Sequence, residues 1–117
     1  VSLLRDSYVR IEDGVASELI DYYLQRRKDY VSDPEVSLER FMEIYEVQTV
    51  QRCFKACGSF ASFFNTRADI RYLKYLAPTL QTVRKSLGLF PEYQPFLRIL
   101  EDRGVFERSF DNVNPPT

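Results

Sequence analysis

The residues of this chain best suited to hold a small anionic or sugar-like molecule are Gln51, Arg52 and Lys55, which fall within a little over one turn of a strongly helical stretch. A planar guanidinium beside an amide, with an ammonium one turn on, matches the oxygen geometry of a phosphate or a polyhydroxyl compound. A partly buried structural arginine is the competing reading of the same residues. Cys53 and Cys57 stand four apart on one face, the spacing at which two thiolates meet a soft metal if further ligands arrive from elsewhere. Cys57 also shares an apolar stripe with Phe54 and Phe64, which makes the pair two small core residues and leaves the expected metal ligands at none. Two carboxylate pairs, Glu39 with Glu43 and Glu101 with Asp102, read as solvated helix faces.

Other chemistry is excluded by residue type. The chain has no histidine, which removes the commonest general base near neutral pH and every triad built on imidazole. Its four glycines, at 14, 58, 88 and 104, are isolated from one another, so no glycine-rich phosphate loop exists in it. No catalytic residue and no bound cofactor are therefore expected within the chain.

The elements that position these side chains follow from periodicity. Val15/Ala16, Leu19/Ile20 and Tyr22/Tyr23 recur at helical spacing after Asp13, a natural cap, and predict a helix over about 14 to 28. Arg26, Arg27 and Lys28 close it, where cations favour the negative end of the helix dipole. Ser32-Asp33-Pro34-Glu35 fits a capping box for the next helix, with Ser37 an alternative start. Val47, Val50, Phe54, Cys57, Ala61 and Phe64 are spaced 3-4-3-4-3 and predict a long inward stripe. A helix over about 38 to 64 is roughly 40 Å long at 1.5 Å per residue.

Leu73, Leu76, Leu80, Val83 and Leu87 repeat the spacing, with Gly88 expected as a left-handed cap. Pro78 is expected to kink or divide this segment, most simply as the first residue of a second helix with Ala77 extended before it. A last helix over about 92 to 103 carries Tyr93, Phe96, Leu97 and Leu100 and stops at Gly104. Gly58, inside the longest helix, is expected where helices cross closely. No alternation of strand type is present, and the expectation is one all-α helical array over 1–110 with a frayed tail over 111–117.

Sixteen basic residues against seventeen acidic ones, with a pI near 5.5, provide no attraction for nucleic acid. No apolar run of about eighteen residues and no basic-then-apolar leader occurs, so neither a membrane partner nor secretion is expected, and the setting is expected to be the reducing cytoplasm. The opening Val1 to Val9 lacks turn or capping residues at its start and reads as the interior of a longer chain.

The opening Ser2-Leu-Leu-Arg-Asp-Ser-Tyr-Val9 resembles the segment that follows the metal-binding aspartate motif in the aminoglycoside phosphotransferase family. Gln51-Arg-Cys-Phe-Lys-Ala-Cys-Gly-Ser-Phe-Ala61, followed by Arg71-Tyr-Leu-Lys-Tyr-Leu76, is similar to the Gln-Arg, Leu-Lys, Gly, Phe and later Tyr-Leu pattern of a bacterial subgroup that includes cell-wall amino-sugar kinases. The resemblance covers most of residues 2 to 87. It implies the C-terminal part of a kinase-like fold whose parent binds ATP and Mg²⁺ and transfers the γ-phosphoryl group to a hydroxyl of a small acceptor. The N-lobe lysine, catalytic-loop aspartate and asparagine and metal-binding aspartate have no counterpart here. Gln51, Arg52 and Lys55 are then expected near a substrate-facing or lobe-packing surface, and uncovered apolar surface is expected to promote self-association. The other reading is a free-standing helical module whose apolar groove accepts a partner helix.

Overall fold

The computed structural model describes residues 1–30 and 37–111. An opening segment of turns leads into α1 (Asp13–Tyr30) and α2 (Leu38–Arg67). A single 3-10 turn (Leu73–Tyr75) then runs directly into α3 (Leu76–Leu87), and a second (Pro91–Tyr93) into α4 (Gln94–Asp102). Among the described residues there is no strand, as the absence of alternation requires. Nor is any described helix long and apolar enough to cross a membrane. The Ser32–Glu35 capping box and residues 112–117 of the expected tail lie outside the described residues.

Ser37 is the residue that starts α2. Its backbone is extended and its hydroxyl accepts the Arg40 N–H at 3.1 Å, satisfying one of the four donors a helix start leaves open. Thirty residues later the helix ends on Ala68, a non-glycine residue in the left-handed region (φ 54°), whose N–H reaches back to the Phe63 and Phe64 carbonyls.

The core is the seam between α2 and α3. Cys53, Cys57, Phe60 and Phe64 pack there against Leu73, Leu76, Leu80, Val83 and Leu87, and Leu97 and Phe106 close one end. The leucine series of α3 is buried as its spacing predicts. On α2 the inward line is rotated from the expected one. It runs through Glu46, Thr49, Cys53, Cys57, Phe60 and Phe64, while Val47 is left 41% exposed and Val50, Phe54 and Ala61 lie on the flank. Apolar spacing could not find this line because two of its members are polar. Thr49 is buried at no cost in hydrogen bonding, since its hydroxyl donates to the Tyr45 carbonyl of its own helix at 2.8 Å.

Four further expectations are corrected. The division falls at Leu76 and not at Pro78, which is the third residue of α3, where its missing N–H would have had no partner within that helix, and Ala77 is helical. Gly88 is right-handed (φ −63°), and the chain leaves α3 by tightened bonds from Leu89 and Phe90 to Ser86 and Leu87. The left-handed glycine is Gly104 (φ 65°), just beyond α4. Gly58 is exposed, and a Cβ added there would meet nothing within 4 Å, so it marks no helix crossing.

The terminal helices pack less than their patterns suggest. In α1 only Ile20 is buried, whereas Val15, Leu19, Tyr22 and Tyr23 stay 44–62% exposed. The helix touches the rest through Tyr23 against Phe41 and through Asp13 to Lys85 at 3.6 Å. The expected 92–103 helix is split into the second 3-10 turn and α4, which buries Leu97 and leaves Phe96 45% exposed.

Candidate functional site

The densest polar chemistry in the domain is built around the opening segment. Arg5 reaches into the α2–α3 seam and pairs with Glu46, Nη2 to Oε1 at 3.0 Å and Nη1 to Oε2 at 3.4 Å. From α3, Ser86 donates to the second Glu46 oxygen at 2.6 Å. The pair is largely withdrawn from water, with side-chain exposures of 22% and 10%. Tyr45 lies beside it, with the Arg5 guanidinium 5.0 Å from its ring centre, an arrangement in which the cation meets the negative π face. Burial pushes the Tyr45 phenol above its ordinary range, with the Arg5 charge acting against it, and its Oη has no hydrogen-bond partner among the described residues.

One turn further along, the same segment changes from polar to aromatic contact. Ser7 meets the Thr79 hydroxyl at 3.0 Å. The Tyr8 ring stands edge-on to Tyr75 at 4.8 Å and to Phe60 at 5.9 Å, and Phe60 stacks on Tyr72 at 5.9 Å. Outside this cluster is a shallow groove of about 520 Å³, lined by Tyr8, Ile70, Arg71, Tyr72, Lys74 and Tyr75. Its cations are partly committed. Arg71 forks onto Asp69 (2.7 Å) and covers the Tyr72 ring, and Lys74 lies over Tyr75. Hydrogen bonds from the Arg71 side chain and backbone hold the Asp69 carboxyl at about 2, below its ordinary 3.8.

Gln51, Arg52 and Lys55 occupy exposed positions on the outer face of α2. None of the three lines the aromatic groove. Cys53 and Cys57 are buried, unpaired thiols in the core. Burial pushes both up, Cys57 to about 11, so neither is thiolate near neutral pH. Of the carboxylates singled out by spacing, Glu43 pairs with Arg40 and Glu101 with Arg84. Among the described residues no group of three or more His, Cys, Asp or Glu side chains can hold a metal ion.

Residue type alone did not reveal Arg5, Glu46, Ser86 and Tyr8. Their partners lie between forty and eighty-one residues away along the chain, and a single charged residue on a helix face carries no periodic signal. Comparison with known proteins returns no matching family model, no matching curated protein and no matching solved structure.

Proposed function

We propose that this chain is the C-terminal, substrate-side helical lobe of an ATP-dependent small-molecule phosphotransferase acting on a sugar or amino sugar, and that it does not catalyse by itself. The observation that carries the proposal is a convergence in space. Three stretches resemble the phosphotransferase family, residues 2–9, 51–61 and 71–76, and they meet in one cluster: Tyr8 from the first, Phe60 from the second, Tyr72 and Tyr75 from the third. Apolar side chains of neighbouring helices pack together in any helical domain, and a pattern inherited with a fold places these three stretches in the same contact.

In this proposal the lobe shapes the acceptor side and supports a catalytic segment supplied by the rest of the parent. Phosphoryl transfer needs several separated groups to position and neutralise the phosphates, and a helical lobe without them acts only through geometry. Gln51, Arg52 and Lys55 then offer an exposed polar face toward the acceptor or the other lobe. The cytoplasm is the setting in which two unpaired core thiols persist. A free-standing helical interaction module is the second reading, favoured by the apolar side chains that α1 leaves in water.

The test is to read the natural coding frame upstream, produce the longer chain, and measure Mg·ATP binding by calorimetry and phosphoryl transfer to amino sugars and aminoglycosides. The longer chain is expected to bind and transfer, and the 117-residue chain to do neither. Stoichiometric micromolar ATP binding by the short chain overturns the proposal. So does a longer natural chain with neither binding nor transfer.

A further inference from the structure

One long face of α1 is left largely in water. Val15, Leu19, Tyr22, Arg26 and Tyr30 follow one another at steps of four, three, four and four, which makes them a single stripe along the helix with Tyr23 on its edge. Val15, Leu19, Tyr22, Tyr23 and Tyr30 are 45%, 44%, 62%, 53% and 75% exposed. Ile20, the buried side chain of α1, lies about a third of a turn round from the stripe. Arg26 continues the stripe with its aliphatic stem, because its guanidinium sits 5.5 Å from the Tyr30 ring centre and donates to the Tyr30 Oη at 2.9 Å. The charges of α1 are also segregated along its length. Residues 13–21 carry Asp13, Glu18 and Asp21 and no cation, whereas residues 22–30 carry Arg26, Arg27 and Lys28 against a single carboxylate, Asp29.

We propose that the occupant of this face is a second copy of the chain, docked α1 against α1 in antiparallel register about a two-fold axis near Tyr22. Charge selects both the partner and the direction. A helix that is acidic at one end and basic at the other is complementary to itself turned end to end, the relation that a two-fold axis imposes. A parallel pair would set acid beside acid and base beside base. Aligned on Tyr22, Glu18 stands opposite Arg26 of the second copy, Leu19 lies beside the stem of that arginine, and Val15 falls beside Tyr30 of the second copy. The existing ion pairs, Asp13 with Lys85 at 3.6 Å and Arg26 with Asp29 at 3.9 Å, are exposed and exchange readily. The five apolar side chains offer on the order of 500 Å² per copy, so pairing buries on the order of 1,000 Å², the lower edge of specific interfaces. The dimer therefore dissociates on dilution. The inference does not rest on the phosphotransferase proposal, and its test uses no nucleotide.

Sedimentation equilibrium on the 117-residue chain, from about 1 to 500 µM, tests it. The mean mass should rise from 13.8 kDa toward twice that value and stop there. Leu19→Glu sets a carboxylate into the stripe of each copy and should raise the dissociation constant about a hundredfold. Leu19→Ala, a better helix former, should weaken the dimer in the same direction without disturbing α1. Glu18→Arg should weaken it about tenfold, and Glu18→Arg combined with Arg26→Glu should recover most of that loss, because the exchanged charges meet again across the antiparallel pair. A chain that stays at 13.8 kDa throughout overturns the proposal and leaves the face to a different partner. Association that both Leu19 variants leave unchanged, or that continues past two copies, overturns it as well, since the contact would then lie elsewhere or fail to close. A double variant no tighter than Glu18→Arg alone overturns the antiparallel register.

Discussion

Replacing Phe60 and Phe54 separately by alanine tests which face of α2 points inward. The apolar stripe in the sequence favours Phe54, whereas the fold buries Phe60 to 3% exposure and leaves Phe54 half-buried on the flank, its ring 6.1 Å from Phe96. Removing a fully buried phenylalanine costs about 3 to 5 kcal/mol, part of it for the cavity left behind. Phe60 belongs well inside that range, about 4 kcal/mol, because Tyr8, Tyr72 and Tyr75 all pack on its ring and cannot collapse into the space together. Phe54 is partly buried and water can stand where its ring was, so its removal should cost less, about 2 kcal/mol. The gap of about 2 kcal/mol corresponds to about 1 M in urea midpoint for a slope near 2 kcal/mol/M. Equilibrium urea titrations followed by circular dichroism measure it, with equal slopes required in all variants. If Phe60→Ala leaves too little of a typical 5 to 15 kcal/mol to fold, Phe60→Leu should still cost about 1 kcal/mol. A Phe54→Ala cost equal to or above that of Phe60→Ala would refute the packing described above.

Gly58→Ala should stabilise the domain by about 1 kcal/mol and raise the melting temperature by several degrees, since the added methyl meets open space and the helix gains propensity; a fall in melting temperature would restore a close crossing there. Gly104→Ala should destabilise by about 1 kcal/mol, because alanine must adopt φ 65° to keep the turn after α4. Carbon-detected NMR titration should find the Asp69 carboxyl near 2, and Arg71→Gln should return it toward 3.8. A carboxyl held lower in the folded chain than in the unfolded one stabilises fully above 3.8 and loses that contribution as the pH falls toward 2, so acid and not alkali should weaken this pair. Cys53 and Cys57 should resist a thiol reagent at pH 8 in the native state and react promptly once urea unfolds the chain; fast native labelling would mean the seam opens far more often than its packing allows.

Elements with strong periodicity were legible from residue order alone. The all-helical class, the long helix starting after Ser37, the buried leucine series of α3 and the stop at Gly104 all depend on contacts within a turn or two, where side-chain spacing and cap chemistry decide the outcome. The burial of Cys53 and Cys57 was legible for the same reason. Tertiary contact decided the rest. That α2 turns Glu46 inward depends on Arg5 neutralising it across forty-one residues, and until that partner is known a buried glutamate reads as a solvated one. α1 shows the converse: its amphipathic repeat predicts a helix, and a helix forms, yet Leu19 and Tyr22 stay in water and Tyr23, though it meets Phe41, remains 53% exposed. Spacing along a helix determines which side chains share a face. Which face is buried is determined by what the remainder of the chain brings against it.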